Sequence, residues 1–332
     1  MMKFLLFCFC FTFFSLHSFA RSGFRVMFYN AENFFDCNHD TLKNDYEYLP
    51  GGIRGWTPTR FWKKTGQIAK VIAAVGGDKF PEIIGLAEVE NDNCIRSLIL
   101  GSPLKNAKYS FVHEESPDTR GVDVCLLYNR YLFTVLNHAT LKVFFKEEPT
   151  KKTRDVLYVC GKTYTGIILH VFVCHFPSRL GGELESESNR RAVASMVRER
   201  IDSIYTLNDD PNILIMGDFN DYPTDRSLLL DLKAGAPDSV PDKSRMYNLM
   251  LPLNGNPESG TNKHQADWGI LDQMMVSGEL LRKTNGAHIF DADFLLIQDE
   301  RWLGRKPFRT YHGMAYQGGF SDHLPVYTDF NF

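Results

Sequence analysis

Met216-Gly217-Asp218-Phe219-Asn220-Asp221-Tyr222-Pro223 follows the apolar run 213–217, and the reading of the whole chain starts there. A run of four to eight apolar or β-branched residues that stops at a polar one reads as a buried strand. Asp218 and Asn220 then project together from one tight loop at the strand end. A carboxylate in such a place is costly unless it has a partner or a task. Moving outward, the runs 24–29, 83–87 and 167–174 stop in the same way at Asn30, Glu88 and His175. Residues 121–128 alternate as a half-buried strand, and 269–277 read as another around Asp272. Ser321-Asp322-His323 stands before a last apolar segment, where a His beside an Asp again calls for partners.

Between these runs, 61–75 and 189–207 carry apolar residues at helical spacing, the second preceded by Glu183, Glu185 and Glu187, which suit a helix N-terminus. Each half of the chain therefore reads strand, helix, strand, although no sequence repeat relates the halves. The segments 38–59 and 234–267 have no periodicity and read as long loops. No Ser/Gly linker or charge block divides the chain, so residues 21–332 are expected to form one domain around one shared site.

The composition, 44% apolar or aromatic and 23% charged over 332 residues, is that of a globular protein with a large core and excludes disordered, collagenous and solenoid classes. A net charge of −3, from 37 basic and 40 acidic residues, supplies no global field for a polyanion. Nucleic-acid contact would need a local basic patch. Residues 1–20 combine Lys3, an apolar stretch and a Ser18-Phe19-Ala20 ending, and are read as a signal peptide, which places the mature chain in the periplasm or outside the cell. An uncleaved amphipathic anchor is the alternative. No other stretch has the roughly 20 apolar residues of a membrane span. Of the five later cysteines, Cys125, Cys160 and Cys174 fall in strand-like segments and read as buried thiols rather than metal or redox groups.

Collected, Asn30, Glu88, His175, Asp218, Asn220, Asp272, Asp322 and His323 form a set of hard oxygen donors with two imidazoles. Such a set suits Mg²⁺, Mn²⁺ or Ca²⁺ better than structural zinc. A sparse carboxylate site of this kind fits phosphoryl chemistry.

Six segments carry a resemblance to the endonuclease/exonuclease/phosphatase superfamily, the deoxyribonuclease I-like proteins. They are Tyr29-Asn30-Ala31-Glu32-Asn33, Gly85-Leu86-Ala87-Glu88-Val89-Glu90-Asn91, Val173-Cys174-His175-Phe176-Pro177-Ser178-Arg179, Gly217-Asp218-Phe219-Asn220-Asp221, Leu271-Asp272-Gln273-Met274-Met275-Val276 and Ser321-Asp322-His323. They occur in the family's order and span nearly the whole chain after residue 20. The resemblance implies an α/β (α+β) fold, a four-layer αββα sandwich of two packed mixed β-sheets with the site at one end. It also implies roles: Asn30, Glu88 and Asp322 near a divalent cation, Mg²⁺ by preference with Mn²⁺ or Ca²⁺ as alternatives. Asp218 and Asn220 would orient or deprotonate the attacking water and hold the phosphate. His323 would bind a phosphate oxygen or move a proton, with Asp272 fixing its tautomer, and His175 would meet the scissile phosphate or the leaving group.

For the substrate phosphate, Arg179 in the His175 loop, Arg120 in Asp118-Thr119-Arg120-Gly121-Val122-Asp123 and Arg191 on the second helix are the candidate cations. Arg54, Arg60, Lys63 and Lys64 read equally as surface charges. Export and His175 favour a nuclease-like phosphodiesterase acting on DNA or RNA. A lipid or inositol-phosphate esterase of the same fold is the alternative, although no exposed aromatic hairpin stands out beyond Phe144-Phe145 and Tyr46 to Tyr48. A calcineurin-like enzyme would need Asp-x-His and Gly-Asn-His, which the chain lacks. An inactive binding domain would be expected to have lost some of the eight polar positions, and all are present. Oligomeric state is not legible.

Overall fold

The computed structural model describes residues 23–179 and 181–332; the signal-peptide reading of 1–20 lies outside them. Two mixed sheets stack face to face. The first runs, edge to edge, Thr284–Ile289, Val326–Phe330, Phe24–Phe34, Ile83–Val89, Asp123–Asn129 and Tyr109–His113. The second runs Phe133–Leu141, Val156–Thr163, Ile168–His175, Asn212–Asp218, Asp272–Ser277, Met246–Asn248 and Ala234–Gly235. This is the expected sandwich.

Each sheet holds one parallel pair near its middle, Phe24–Phe34 with Ile83–Val89 and Ile168–His175 with Asn212–Asp218. Parallel neighbours need a crossover, and a helix supplies it in both cases. The first, Pro58–Gly76, begins three residues before the expected 61, because Thr57 accepts the Arg60 N–H and Pro58 presets the first turn. The second, Glu183–Tyr205, starts six residues earlier than its apolar period suggested, at the acidic turn of Glu183 and Glu185. The helix Asp92–Gly101, capped by Asn91, was not read from the sequence, being too short for its period to stand out. Segment 234–267, read as loop, contributes Ala234–Gly235 and Met246–Asn248 to the edge of the second sheet.

Three apolar clusters fill the layers. Val26, Phe28, Ile83, Leu126, Val171, Leu214, Met216 and Met274 pack between the sheets. Met27, Tyr29, Ile68, Ile72 and Leu98 join the first sheet to its helices, and Phe172, Val193, Val197 and Ile215 join the second to Glu183–Tyr205. Strands buried on both faces lose the alternation of a half-exposed strand, which is why they read as continuous apolar runs. Cys125 and Cys174 are buried and Cys160 half-buried, all as free thiols. No helix of the described residues is long and apolar enough to cross a membrane.

Register carries the polar strand ends to one rim. In the second sheet His175 pairs with Asp218, and Asp218 with Asp272, so three ends from distant parts of the chain lie side by side. Gly217 sits one step inside, opposite Cys174, and a β-carbon there would overlap the Cys174 carbonyl. Gly217→Ala is expected to cost about 1–3 kcal/mol through overpacking, read as a lowered midpoint in denaturant unfolding, with a wild-type midpoint excluding this close approach.

Candidate active site

The first sheet offers Asn30 and Glu88 to the same rim. Asn30 lies in the strand Phe24–Phe34 just before its pairing shifts register; its Oδ1 accepts the Glu32 N–H at 2.9 Å, and Ser321 donates to its carbonyl at 2.8 Å. Glu88 breaks the ladder on both sides, because the pairings of Ile83–Val89 skip it, and its backbone is left-handed at φ 59°. That bulge turns its carboxylate out of the core. Glu32, Asn33 and Asn220 are also left-handed, at 51°, 55° and 50°. Half of the eight described non-glycine residues with positive φ therefore cluster at this rim, a conformation tolerated only where the surroundings enforce it. Part of the enforcement is visible: the Asn33 N–H donates to Glu88 Oε2 at 2.8 Å, and the Asn220 N–H to Asp218 Oδ1 at 2.9 Å.

Asp218 is the centre. It is 2% exposed, accepts Asn30 Nδ2 at 3.0 Å across the two sheets, and has two imidazoles beside it. His175 Nε2 lies 3.7 Å and His323 Nε2 3.8 Å from its Oδ2. His175 Nε2 is also 3.9 Å from Glu88 Oε1. His323 Nδ1 meets Asp272 Oδ2 at 2.7 Å, and its N–H donates to Ser321 Oγ at 3.0 Å. Thr261 Oγ1 accepts the N–H groups of Leu271 and Asp272, which holds the Asp272 strand end in place.

The environments of the two imidazoles differ. Burial, then the positive charges of Arg154 and Arg120, hold His175 well below the ordinary imidazole range. Burial also works against a charge on His323, but Asp272 and Asp218 override it and raise His323 well above that range. Burial pushes Asp218 up to about 6, against the pull of His323. Groups whose environments push their proton affinities apart are the signature of divided acid and base work.

Glu88 is raised first by burial, then by the negative charge of Asp322, with Asp218 adding to it. The charge of Arg120 opposes this rise, although its own N–H and Nε both go to Asp118 Oδ1. Asp322 pairs with Arg309 at 2.5 Å and gives its backbone carbonyl to Asn262. The site thus gathers carboxylates whose mutual repulsion is only partly relieved by Arg309 and Arg120. Its buried atoms without a hydrogen-bond partner among the described residues include His175 Nδ1, Asp272 Oδ1 and Arg309 Nε. Hard oxygens with unrelieved negative charge suit a divalent cation. A second donor grouping, Asp218, Asp272 and His323, has ligand atoms within 4.8 Å of one another, but the short His323–Asp272 bond already ties two of its members together.

The remaining cations differ from one another. Arg179 is committed to carboxylates: its guanidinium meets Asp221, Asp225 and Glu183, stacks 4.4 Å from the Tyr222 ring, and donates to the Asn220 carbonyl. It braces the Asn220 loop. Arg191 forks onto Asp231 and has no bond to a rim residue among those described. Asn220 turns its Nδ2 to the Phe176 carbonyl at 3.0 Å, tying its loop to the one after His175. Lys64, expected as a phosphate-binding or a surface cation, is neither: it is buried, its ammonium donating to Thr310 Oγ1 and the Phe320 carbonyl and lying 4.0 Å from Glu32. Its helix faces the first sheet, so the cation cannot reach water. Phe145 and Tyr48 are buried too, whereas their neighbours Phe144 and Tyr46 are exposed.

Arg309, Arg154 and Thr261 carry no signal in the sequence, whereas Ser321 belongs to the Ser321-Asp322-His323 segment. Arg309 and Thr261 lie in aperiodic segments, and Arg154 acts by donating to the Phe176 carbonyl and Asp118. Single polar residues in loops carry no pattern that could have singled them out.

The comparisons with known proteins agree with this geometry. The family model for the endonuclease/exonuclease/phosphatase family matches residues 25–331. The chain belongs to that family. Its members are metal-dependent phosphoesterases, and the present chain has the same enzymatic character. No curated protein sequence matches. Among solved structures, the human nocturnin catalytic domain is 18% identical with a TM-score of 0.56, covering 94% of this chain and 96% of that one. A Bacteroides thetaiotaomicron family protein gives 15% identity, a TM-score of 0.58 and coverages of 93% and 98%. Truncated Caenorhabditis elegans TDP2 gives 16%, 0.55, 92% and 97%. Similarity at this level speaks for the fold.

Behind the site, burial raises Glu32 to about 7, with Asp322 adding to it, while Lys64 and Arg309 oppose the rise. Lys64→Met is expected to destabilise the fold by about 3 kcal/mol, because it strips a buried carboxylate of a cation. Adding Glu32→Gln should recover at least about 1 kcal/mol, measured by a double-mutant cycle in urea. Strict additivity would show that the pair is not coupled.

Proposed function

We propose that the protein is an exported, divalent-metal-dependent phosphodiesterase of nuclease-like specificity. The observation that carries the reading is a buried Asp218 flanked at 3.7 and 3.8 Å by two imidazoles with opposite proton affinities, facing Glu88. Asp218 is the base that takes a proton from the attacking water, and Asn220 holds the loop that orients it. His323, kept cationic by Asp272, donates to a phosphate oxygen whose charge grows in the transition state. His175, kept neutral, offers its Nε2 edge to the scissile phosphate or the leaving oxygen. Asp272 fixes the His323 ring by accepting from Nδ1, which leaves Nε2 to face the substrate.

Glu88 with Asn30 and Asp322 would hold a divalent cation, Mg²⁺ by preference, which would supply charge stabilisation to the phosphate. Arg120 completes the phosphate contacts. Arg179 and Arg191 act on the phosphate indirectly, by holding the Asn220 loop and the second helix in place. Lipid hydrolysis is the second reading: of the two aromatic pairs that could insert into a membrane, Phe145 and Tyr48 are buried while Phe144 and Tyr46 are exposed. The leader reading supports export; the mature N-terminus, read by mass spectrometry, is expected just after Ala20.

With a bis-nitrophenyl phosphate diester, turnover should vanish on chelation and return with added Mg²⁺ or Mn²⁺. Asp218→Asn and His323→Ala should each lower kcat by about 10²–10⁴-fold, and wild-type rates in Asp218→Asn would overturn the assignment. Asp218 works ionised, so activity rises as pH climbs through its pKa. A bound cation draws that value down, placing the acid limb at or below about 6. His323 works protonated, so the alkaline limb falls well above 6.5, and His323→Ala should remove that limb alone. A panel of DNA, RNA, sphingomyelin and inositol phosphates identifies the substrate class, with hydrolysis confined to the lipid excluding a nuclease.

A further inference from the structure

Beside this rim, on the outer face of the first sheet, three side chains converge beneath the start of the helix Asp92–Gly101, with Asp123 in register with Val89, the residue after Glu88. His113 ends the edge strand Tyr109–His113, Asp123 begins the adjacent strand, and Glu115 follows His113 by two residues. Their ligand atoms lie within 4.8 Å of one another. Asp123 is 1% exposed and the His113 side chain is 2% exposed. Yet His113 Nε2 and Asp123 Oδ2 have no hydrogen-bond partner among the described residues. They face each other at 3.8 Å, too far for a hydrogen bond but within the roughly 4.2 Å that two ligands at about 2.1 Å from one ion can span.

We propose that His113 Nε2, Asp123 Oδ2 and the Glu115 carboxylate form a second metal site, for a transition-metal dication of the Zn²⁺ type, distinct from the cation at Glu88.

Three further features fit an ion. The other ring nitrogen, His113 Nδ1, meets Asp92 Oδ1 at 3.1 Å. A carboxylate behind an imidazole fixes the tautomer that turns the Nε2 lone pair toward a metal. Second, Asp92, Glu115 and Asp123 bring three negative charges. The facing cations are Lys43, 3.8 Å from Glu115 and held by the carbonyls of Ser116 and Asp118, and Arg96, 3.3 Å from Asp92, which leaves a net negative charge for a dication to offset. Third, the donor set of one imidazole and two carboxylates suits Zn²⁺, with water completing the shell, whereas Mg²⁺ prefers oxygen alone. Glu115 is half exposed, so it can swing in and the ion has an entry path.

The consequence lies in the loop between the ligands. Asp123 Oδ1 accepts the Ser116 N–H at 3.0 Å, and the loop carries Asp118 and Arg120. An ion on Asp123 and Glu115 ties both ends of that loop to the sheet and so steadies Arg120. The site stands independently of the phosphodiesterase reading, since its test is binding.

Purified apo protein is titrated with Zn²⁺, and bound metal is counted by mass spectrometry and calorimetry. Wild type should bind one more equivalent of Zn²⁺ than His113→Gln, and Glu115→Ala should weaken that equivalent at least about 10-fold. Glu88→Gln should retain it. Co²⁺ in the same site should give a visible d–d band that is lost in His113→Gln and kept in Glu88→Gln. Because Glu115 is at the surface, Glu115→Ala keeps the test valid even if the buried variants unfold. Equal stoichiometry and affinity in wild type, His113→Gln and Glu115→Ala would overturn the proposal, as would a Co²⁺ band that depends on Glu88 alone.

Discussion

The hydrogen bond from Asn30 Nδ2 to Asp218 Oδ2 joins the two sheets through polar atoms at the rim of an otherwise apolar interface. Its partners lie 188 residues apart, and the bond can form only if both strands end at the same height. The apolar runs before Asn30 and Asp218 enforce that height. Sliding either strand by one residue would turn its buried side chains to the opposite face. The polar rim is thus a by-product of core packing: where the apolar runs stop, the functional groups begin.

Backbone strain is the second constraint on this rim. Glu32, Asn33, Glu88 and Asn220 all take the left-handed conformation, and several of their bonds lock one another. The Asn33 N–H holds the Glu88 carboxylate, and the Asn220 N–H holds Asp218. Behind them Lys64 supports Glu32, and Glu32 accepts the Thr310 N–H. An active surface rich in negative charge therefore rests on a buried cation, supplied by a helix whose other task is to connect two parallel strands. Loss of any member leaves a polar group in a medium that cannot solvate it.

Most of the fold was legible because buried strands and amphipathic helices have periods. The runs ending at Asn30, Glu88, His175 and Asp218 all became strands, and both expected helices formed, with ends shifted by a few residues. The short strands of 234–267 and the helix Asp92–Gly101 escaped because two to ten residues do not establish a period. In the site, residues standing directly after an apolar run were visible. Arg309, Arg154 and Thr261 were not, since each acts through a contact made by a loop, and a loop's path is set by what it packs against.

The amino-acid sequence alone determined the strand ends, the crossover helices and the polar inventory, because hydrophobic periodicity is local and readable. Tertiary structure alone decided which cations are free. Lys64 is sealed under the first sheet, Arg179 is surrounded by Asp221, Asp225 and Glu183, and half-exposed Arg120 bonds Asp118. It alone also set His175 and His323 apart, for an imidazole carries no mark of its charge until burial and neighbouring carboxylates assign one.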